Sequence, residues 1–398
     1  MAPRLRCGRA GVHGTGRKHS PEQLRLRAGR RAQIQLGAVA SAREPGQRDN
    51  WAPVPDTIER LVSWIEAAGG HVRATCIVGE GDRRSTLLAR DVRPGEPILQ
   101  VPSACILTPE RAAETTVGQR IVSDWNGAAL DPILLASFLI IAEREGDPWW
   151  APYIATLPRR LGGHPMFFSQ ADLDALAGTM LLQLVEERRY RLLEECEWLR
   201  DYIPELASLE PDDWVFVRAL TTSRCFGLGK FSTDTLVPFA DLCNHARFAD
   251  THWGLAPDGR SFALRAEEPL EAGSEVHVSY GAKSNSRLFL HYGFTLAHNP
   301  IEDVVFDLGE FGDFDLAPND ESPAMLAMLK QVAATGPDRG RKRHAYAGVG
   351  TAARERLGRL PPPQSTEGST ENIRNALHIR ESERRILEWW VRRCQEYA

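Results

Sequence analysis

The chain has 398 residues, of which 42% are apolar and 25% are charged. This length and composition are typical of a folded protein with room for two domains, and they exclude a single small disulfide-stapled module. The net charge is −5. Nucleic-acid binding depends on clustered Lys and Arg side chains that contact phosphates, so an excess of acidic residues argues against nucleic acid as the main ligand.

The first 52 residues are rich in Arg, Gly and Ala and contain few large apolar side chains. Such a segment cannot bury enough apolar surface to fold, so we predict a disordered basic leader over 1–52. No apolar stretch of a secretory signal follows Met1. We expect a cytoplasmic or nuclear protein, or an organellar one if the leader is a transit peptide; a dispensable extension is the alternative.

The folded part is predicted to begin with a helix and several short strands. In "PDTIERLVSWIEAAGG" (55–70), apolar residues recur at helical spacing and two glycines end the helix. Short apolar runs separated by Gly and Pro follow, and they predict strands within 71–78, 85–92 and 97–107.

A helical block is predicted next, with "DPILLASFLIIAEREG" (131–146) and one long helix over 169–203. The apolar run at 132–142 is too short to span a bilayer, which takes about 20 residues, so we expect no membrane association. Strand-like sequence returns near residue 235, including a hairpin around 257–259.

The pattern weakens after Asn299. Residues 336–371 contain three consecutive prolines and much Gly, Arg and Ser, which predicts a flexible linker, and 371–397 reads as one helix. Short strands, a helical insertion and further short strands do not have the regular alternation of a doubly wound sheet. The predicted fold class is therefore α+β.

Residues that could carry chemistry cluster between 221 and 294, in "TTSRCF", "ADLCNH", "HVSYGAKSN" and "LHYGF". Motifs for nucleotide phosphates, serine hydrolases and zinc proteases are missing. The seven cysteines are scattered and lack C-x-x-C spacing, which indicates a reducing compartment and no metal site. Taken singly, Arg224 could be a surface salt bridge, His245 a structural histidine and Asp241 a cap.

The combination of segments is more informative than any one of them. "VPFADLCNH" followed by "GSEVHVSYGAKSNSRLFLHYGF" resembles the SET-domain methyltransferase family, in the branch of the Rubisco and cytochrome c lysine methyltransferases and the actin histidine methyltransferase. Upstream, "GEGDRRSTLLARDVRPGE", "WWAPYIATLP" and "SRCF" resemble further segments of that branch in the same order. The resemblance covers roughly 70–300, with a weaker echo in "ALHIRESERRIL".

This resemblance implies a domain organisation. Residues 53–300 would form a SET domain of small curved β-sheets, with a pseudoknot and a helical insertion at about 130–220. Residues 301–398 would form a reduced, partly helical region like the family's substrate-binding domain, containing the linker at 336–371.

The resemblance also implies S-adenosylmethionine as the cofactor, a protein as the substrate and a monomeric state. The cofactor-binding residues would be Glu80, Gly81, Arg224, Asp241, Asn244, His245 and Tyr280. Tyr280 would be the catalytic residue, aligning the acceptor with the transferred methyl group rather than acting as a strong base. The acceptor channel would be walled by Phe226, Trp253 and Tyr292.

Three readings of the function remain open at this point. Cys225 and Phe226 follow Arg224, as in lysine-modifying relatives, which favours a lysine acceptor. The actin histidine enzyme has an asparagine after the corresponding arginine, and a histidine acceptor is the alternative. The cysteine-rich zinc tail of histone-modifying enzymes is missing, so we expect a non-histone target. A non-catalytic SET scaffold that binds a protein partner is the third reading.

Overall fold

The structure is a computed structural model that describes residues 55–78, 84–127, 129–228, 234–307, 313–334 and 340–397. The predicted leader at 1–52 and the predicted cofactor residues Glu80 and Gly81 lie outside these ranges. Among the described residues, no helix has the length and apolar character needed to cross a membrane.

The N-terminal part contains one helix and four strands: α1 (Pro55–Ala67), β1 (His71–Val72), β2 (Ala74–Val78), β3 (Arg84–Leu88) and β4 (Pro97–Val101). Helix α1 buries Ile58, Leu61 and Ile65 on one face, as its apolar spacing predicts. Gly69 ends the helix with φ of +90°, a conformation that glycine adopts without steric cost.

Seven helices follow among the described residues, and the first two of them precede the predicted helical block. They are α2 (Pro109–Ala113), α3 (Thr116–Asp124), α4 (Leu130–Glu145), α5 (Ala151–Ile154), α6 (Gln170–Ala175), α7 (Met180–Tyr202) and α8 (Pro211–Thr222). Helix α4 is apolar on most of its surface and is packed between two clusters of buried side chains, so it lies inside the fold rather than on its face.

The prediction of one continuous helix over 169–203 is wrong, because the chain breaks between α6 and α7. Gly178 has φ of +79° there, and a side chain at this position would collide with the carbonyl group of Arg359. Thr179 then caps α7 by accepting a hydrogen bond from the backbone N–H of Leu182 at 3.2 Å. A tertiary contact with the distant residue 359 thus interrupts a segment that is helical by local propensity.

The second group of strands completes several small sheets. It comprises β5 (Cys225–Phe226), β6 (Thr235–Leu236), β7 (Asn244–His245), β8 (Thr251–Leu255), β9 (Phe262–Ala266) and β10 (His277–Val278), followed by α9 (Asn285–Tyr292). The largest sheet is antiparallel with strand order β1-β4-β9-β8, and β2 with β3 and β5 with β6 form antiparallel pairs. The predicted hairpin around 257–259 is the β8–β9 connection.

One pairing differs from the others because β7 and β10 are parallel. Asn244 lies opposite His277, and His245 lies opposite Val278. Two parallel strands must be joined by a crossover connection. Here the connection from β7 to β10 contains the β8–β9 hairpin. This pairing brings "LCNH" beside "HVSYG", two segments that are well separated in sequence.

The C-terminal part consists of a hairpin and three helices: β11 (Val304–Asp307), β12 (Asp313–Leu316), α10 (Pro323–Ala333), α11 (Arg341–Arg359) and α12 (Glu371–Gln395). The predicted linker at 336–371 is wrong for residues 341–359, which form α11. Ala345, Val349 and Ala353 are buried at helical spacing, and α11 packs along α12. The high content of Gly, Arg and Pro led to the prediction of a linker, although a narrow stripe of small apolar residues runs along one face of α11.

Candidate active site

The candidate site is built around a buried aspartate in the turn between β6 and β7. Phe239 has φ of +70° although it is not a glycine, and it leads into a short 3-10 turn at Ala240–Leu242. Strained backbone of this kind persists only where the surroundings hold it in place. The turn carries Asp241, whose side chain is fully buried.

Two side chains from other elements hold the Asp241 turn. The Tyr153 hydroxyl donates to Oδ2 of Asp241 at 3.0 Å. The Arg224 guanidinium, placed at the end of α8, donates through Nη1 to the backbone carbonyl oxygen of Asp241 at 2.6 Å and lies 3.5 Å from Oδ2. Burial raises the pKa of the Asp241 carboxyl group, while the nearby Arg224 opposes that shift.

Two polar atoms of this arrangement are buried without a hydrogen-bond partner in the part of the chain that the structure describes. They are Nε of Arg224 and Oδ1 of Asp241. A buried donor or acceptor that forms no hydrogen bond is costly. A polar ligand bound at this turn would supply the missing hydrogen bonds. The Arg224 guanidinium has the charge and geometry to pair with a carboxylate group of such a ligand.

Asn244 is fixed by two neighbours that the sequence did not indicate. Its Nδ2 donates to the backbone carbonyl oxygen of Arg84 at 2.6 Å and to Oε1 of Glu275 at 2.7 Å. The residue is exposed, and both N–H groups of its amide are already used. Its Oδ1 and its backbone groups are therefore the atoms that it can offer to a ligand.

His245 is held by the segment that bears Tyr280. Its Nδ1 lies 3.0 Å from the backbone nitrogen of Tyr280 and 3.3 Å from the carbonyl oxygen of Val278. A neutral ring that accepts the shorter of these two bonds from the Tyr280 N–H carries its proton on Nε2. Burial lowers the pKa of His245, which favours this neutral form. The two rings stack with centroids 5.0 Å apart.

The Tyr280 hydroxyl points back to the turn between Asp241 and Asn244. It donates to the backbone carbonyl oxygen of Cys243 at 2.8 Å. Burial raises the pKa of the Tyr280 phenol far above its ordinary value, so the hydroxyl keeps its proton near neutral pH. This group can orient a reacting atom through its oxygen, but it is not suited to act as a general base.

An aromatic cluster surrounds Tyr280 and consists of His245, Tyr280, Tyr292 and Phe294. The centroids of the Tyr280 and Tyr292 rings are 4.7 Å apart, and Phe294 lies 6.2 Å from each of them. Gly293 separates Tyr292 from Phe294 with φ of +82°, and a side chain there would lie 2.6 Å from the carbonyl oxygen of Gly163. This close approach of two backbone segments fixes the two rings.

Phe226 and Trp253 lie together in a second aromatic group that includes Phe262. Phe226 contacts Trp253 edge-to-face at 5.2 Å between centroids and Phe262 at 5.4 Å. The indole N–H of Trp253 donates to the carbonyl oxygen of Ser279 at 3.4 Å. This second group therefore adjoins the Tyr280 segment through Trp253, and Phe226 is part of the core behind it.

The structure brings the predicted residues together in two sets, Arg224 with Asp241 and His245 with Tyr280 and Tyr292. Three supporting residues were not predicted: Tyr153, Glu275 and Phe294. Tyr153 lies within "WWAPYIATLP" and Phe294 within "LHYGF", so both were present in segments that carried the resemblance. No cluster of three or more His, Cys, Asp or Glu side chains suited to a metal ion occurs in the described ranges.

The sequence of this chain is similar to those of several protein methyltransferases. No protein-family profile matches the chain. The chain is 26% identical to the chloroplastic fructose-bisphosphate aldolase lysine N-methyltransferase of Arabidopsis thaliana, over 72% of this chain and 66% of the relative. It is 24% identical to the actin-histidine N-methyltransferase of Gallus gallus, over 81% of this chain and 52% of that protein. The chain thus spans about half to two thirds of these relatives.

A solved SET domain of LSMT, bound to lysine and AdoHcy, matches with a TM-score of 0.74 at 19% identity, covering 86% of this chain and 92% of that one. The chain has the SET-domain fold. A structure of Rubisco LSMT bound to AdoMet matches the SET-domain fold of this chain with a TM-score of 0.72, at 20% identity. The family resemblance and the α+β class predicted from the motifs are confirmed.

Proposed function

We propose that this SET-domain chain is an S-adenosylmethionine-dependent protein methyltransferase that modifies a lysine side chain of a non-histone protein. The observation that carries the proposal is the Tyr280 hydroxyl, bonded to the Cys243 carbonyl oxygen at 2.8 Å beside the buried Arg224–Asp241 turn. The relatives named above methylate lysine or histidine, and the matching LSMT structures hold AdoMet or AdoHcy.

S-adenosylmethionine supplies a methyl group that is activated by the sulfonium charge. Arg224 would pair with its carboxylate, and the buried Nε of Arg224, which has no partner among the described residues, supports this assignment. Asn244 and His245 would hold its adenine and amino groups. Glu80 and Gly81 would contribute from the preceding loop.

The acceptor amine must reach the methyl group in line and without a proton. The aromatic side chains of Tyr292 and Trp253 would wall its path, with Phe226 packed behind Trp253, because an apolar wall disfavours the charged form of lysine. Tyr280 would align the amine, since its own pKa is raised by burial and its hydroxyl stays protonated. Its contribution is positioning and electrostatics rather than proton removal.

The choice of lysine over histidine rests on Cys225 and Phe226, which follow Arg224 in this chain. A hypomethylated lysate would be incubated with isotope-labelled S-adenosylmethionine and the full chain, and methylated residues would be mapped by mass spectrometry. Label on lysine supports the proposal. Label on histidine alone supports the alternative, a protein-histidine N-methyltransferase.

A non-catalytic scaffold is the remaining alternative, and cofactor binding separates it from an enzyme. Calorimetric titration of S-adenosylmethionine should show binding to the wild type and to the exposed control variant Asn126→Ala. Asn244→Ala should bind at least about tenfold more weakly, because it loses a ligand contact and the link between β7 and the Glu275 segment. No heat from the wild type would favour the scaffold.

The wider organisation is proposed on the same basis. Residues 53–300 would form the catalytic domain and 301–398 a region that docks the protein substrate. We expect a monomer that binds neither nucleic acid nor membranes. The compartment would be cytoplasmic or nuclear, or an organelle as in the chloroplastic relative from Arabidopsis thaliana.

A further inference from the structure

Arg188 on α7 is a partly buried cation that forms no ion pair with a carboxylate among the residues that the structure describes. The charged groups near it are Arg218, Arg191 and Glu195. The Glu195 carboxylate already accepts hydrogen bonds from two other side chains. Arg218 donates to its two oxygens at 2.8 and 3.3 Å, and the Trp214 indole donates to it at 3.3 Å. Arg188 therefore has only the shared charge of Glu195 near it, and no carboxylate in the described ranges is bonded to its guanidinium.

The cluster around Arg188 presents hydrogen-bond donors. Nη1 of Arg188 lies 3.0 Å from Nδ1 of His291, and since a guanidinium can only donate, His291 accepts through Nδ1 and carries its proton on Nε2. Burial, followed by the charge of Arg188, lowers the pKa of His291 to about 4. His291 is therefore a neutral donor beside the cation.

His164 adds a buried donor that has no partner. Its Nδ1 accepts from the backbone N–H of Met166 at 3.3 Å, which leaves the proton on Nε2, and Nε2 has no hydrogen-bond partner within the described part of the chain. The residue is 2% exposed, and Arg188 and His291 are the charged or titratable groups that act on it. The Arg188 guanidinium, the neutral imidazole of His291 and the unpartnered Nε2–H of His164 together form a donor-rich group that is complementary to an anion.

The position of this cluster connects it with the acceptor channel. His291 directly precedes Tyr292, and their rings are 6.3 Å apart between centroids, while Tyr292 contacts Tyr280. Gly163, which precedes His164, packs against Gly293 on the other side of Tyr292. The donors therefore lie beside Tyr292, one of the residues proposed to wall the acceptor channel.

We propose that Arg188, with His291 and His164, binds a carboxylate side chain of the protein substrate that flanks the methylated residue. The acceptor segment would be fixed at two points, its target side chain against Tyr292 and Tyr280 and its Asp or Glu on the Arg188 guanidinium. This inference deepens the proposed function and rests on it. It assigns the enzyme a preference for acidic sequence near the target.

The first experiment compares the sites that each variant modifies in a hypomethylated lysate. Wild type and Arg191→Gln, which removes an exposed arginine from the same helix, should methylate sites with Asp or Glu at a fixed spacing from the target. Arg188→Gln should lose that preference. Its kcat/KM on such sites should fall by about tenfold or more, because a charge-assisted hydrogen bond is removed. Arg188→Glu should shift the preference towards Lys or Arg. Unchanged sites and rates in Arg188→Gln would overturn the proposal.

The second experiment needs no catalysis, so it remains decisive if the chain proves to be a scaffold. Melting temperature is measured in sodium glutarate and in sodium chloride at matched ionic strength. Wild type and Arg191→Gln should be stabilised by the dicarboxylate, and Arg188→Gln should not, because a ligand stabilises only the state that binds it. An equal response of all three proteins would contradict carboxylate binding at Arg188.

The third measurement excludes a purely structural role. Arg188→Met should leave the urea midpoint unchanged or raised, because it removes a cation that has no bonded carboxylate among the described residues. Arg218→Met should lower the midpoint, because the largely buried Glu195 carboxylate loses its cation and keeps only the Trp214 indole as a donor. If both variants lowered the midpoint equally, Arg188 would be a structural residue and the proposal would fail.

Discussion

Tyr280 makes its two polar contacts through different parts of the residue. Its backbone N–H contacts Nδ1 of His245 at 3.0 Å, and its hydroxyl donates to the Cys243 carbonyl oxygen. A change limited to the hydroxyl therefore leaves the histidine contact intact. This separation allows the role of the hydroxyl in turnover to be tested apart from the architecture of the site.

Tyr280→Phe should reduce methyl transfer by roughly a hundredfold, because it removes a group aligned in the transition state. The affinity for S-adenosylmethionine should stay within about threefold, since the ring stack and the backbone contact are kept. Single-turnover kinetics and calorimetry would measure the two quantities. Turnover equal to that of Tyr202→Phe, a change at an exposed tyrosine, would remove Tyr280 from the mechanism.

Tyr153 has a structural role at the same site. Its fully buried hydroxyl is one of the groups that satisfy the Asp241 carboxylate. Tyr153→Phe should lower the free energy of unfolding by about 1–3 kcal/mol, because a buried carboxylate oxygen loses a hydrogen bond. It should also raise the pKa of Asp241 further. Urea unfolding with Tyr202→Phe as the control would show this, and equal stability of the two variants would contradict it.

At the scale of elements, Glu383 joins α12 to α7 and α11. Its carboxylate oxygens accept from the backbone N–H of Met180 at 3.1 and 3.2 Å, and Nε of Arg356 donates to it at 3.2 Å. Glu383 is 2% exposed. The buried Glu383 carboxylate therefore accepts a hydrogen bond from the first N–H group of α7 and forms an ion pair with Arg356 on α11.

Glu383→Ala should destabilise the protein by about 3–5 kcal/mol, since Arg356 is left without its buried partner and α7 loses an N-terminal acceptor. Glu381→Ala, two residues earlier on the same helix and half-exposed, should cost less than about 1 kcal/mol. Denaturant unfolding of both variants provides the comparison. A similar loss in both would mean that the Glu383 contacts contribute little.

The elements also show which structural features the sequence could predict. Helix α1, the β8–β9 hairpin and α12 follow local periodicity and turn residues, and their existence was predicted. The break at Gly178 and the helix α11 were missed, because the first depends on contact with residue 359 and the second on burial of small residues against α12. Local patterns carry no information about such distant partners.

The site was predicted from the order of its motifs rather than from any single residue. Arg224, Asn244, His245 and Tyr280 were named because their segments recur together in a family. Their partners Glu275 and Tyr153 were missed, since only the parallel pairing of β7 with β10 and the packing of α5 bring those residues to the turn. The supporting contacts of a site depend on tertiary structure.

For the whole molecule, α12 is the element that connects two of the buried clusters. Ala376, Leu377 and Ile379 belong to the cluster formed with the helical insertion. Ile386, Leu387 and Trp390 belong to the cluster formed with α10, α11 and the β11–β12 hairpin. The C-terminal helix is therefore part of both cores.

A chain that ends at residue 370 should fail to fold, because both clusters would lose buried apolar surface together. Circular dichroism and gel filtration should show an unfolded or aggregated protein. The full chain carrying Trp390→Ala should stay folded but lose about 3–5 kcal/mol of stability. A truncated chain that unfolds cooperatively, like the full one, would show that α12 is dispensable.

Buried histidines should make the whole molecule sensitive to acid. Burial lowers the pKa of His164 to about 3, whereas the unfolded chain protonates near 6.5. Because the unfolded state binds the proton first, stability is lost as pH falls below about 6.5, at a slope approaching 1.4 kcal/mol per pH unit for this histidine. In urea unfolding between pH 4 and 7, His164→Asn should show a shallower slope; an equal slope would exclude His164 as the cause.

The parallel pairing of β7 with β10 also has a consequence for synthesis. The ribosome releases Asn244 and His245 before the strand that holds them, since their partners His277 and Val278 are translated later. Until then the nascent chain has the turn but not the segment that bears Tyr280, and no half of the site can bind by itself. The site is therefore completed late in translation, after the β8–β9 hairpin has emerged.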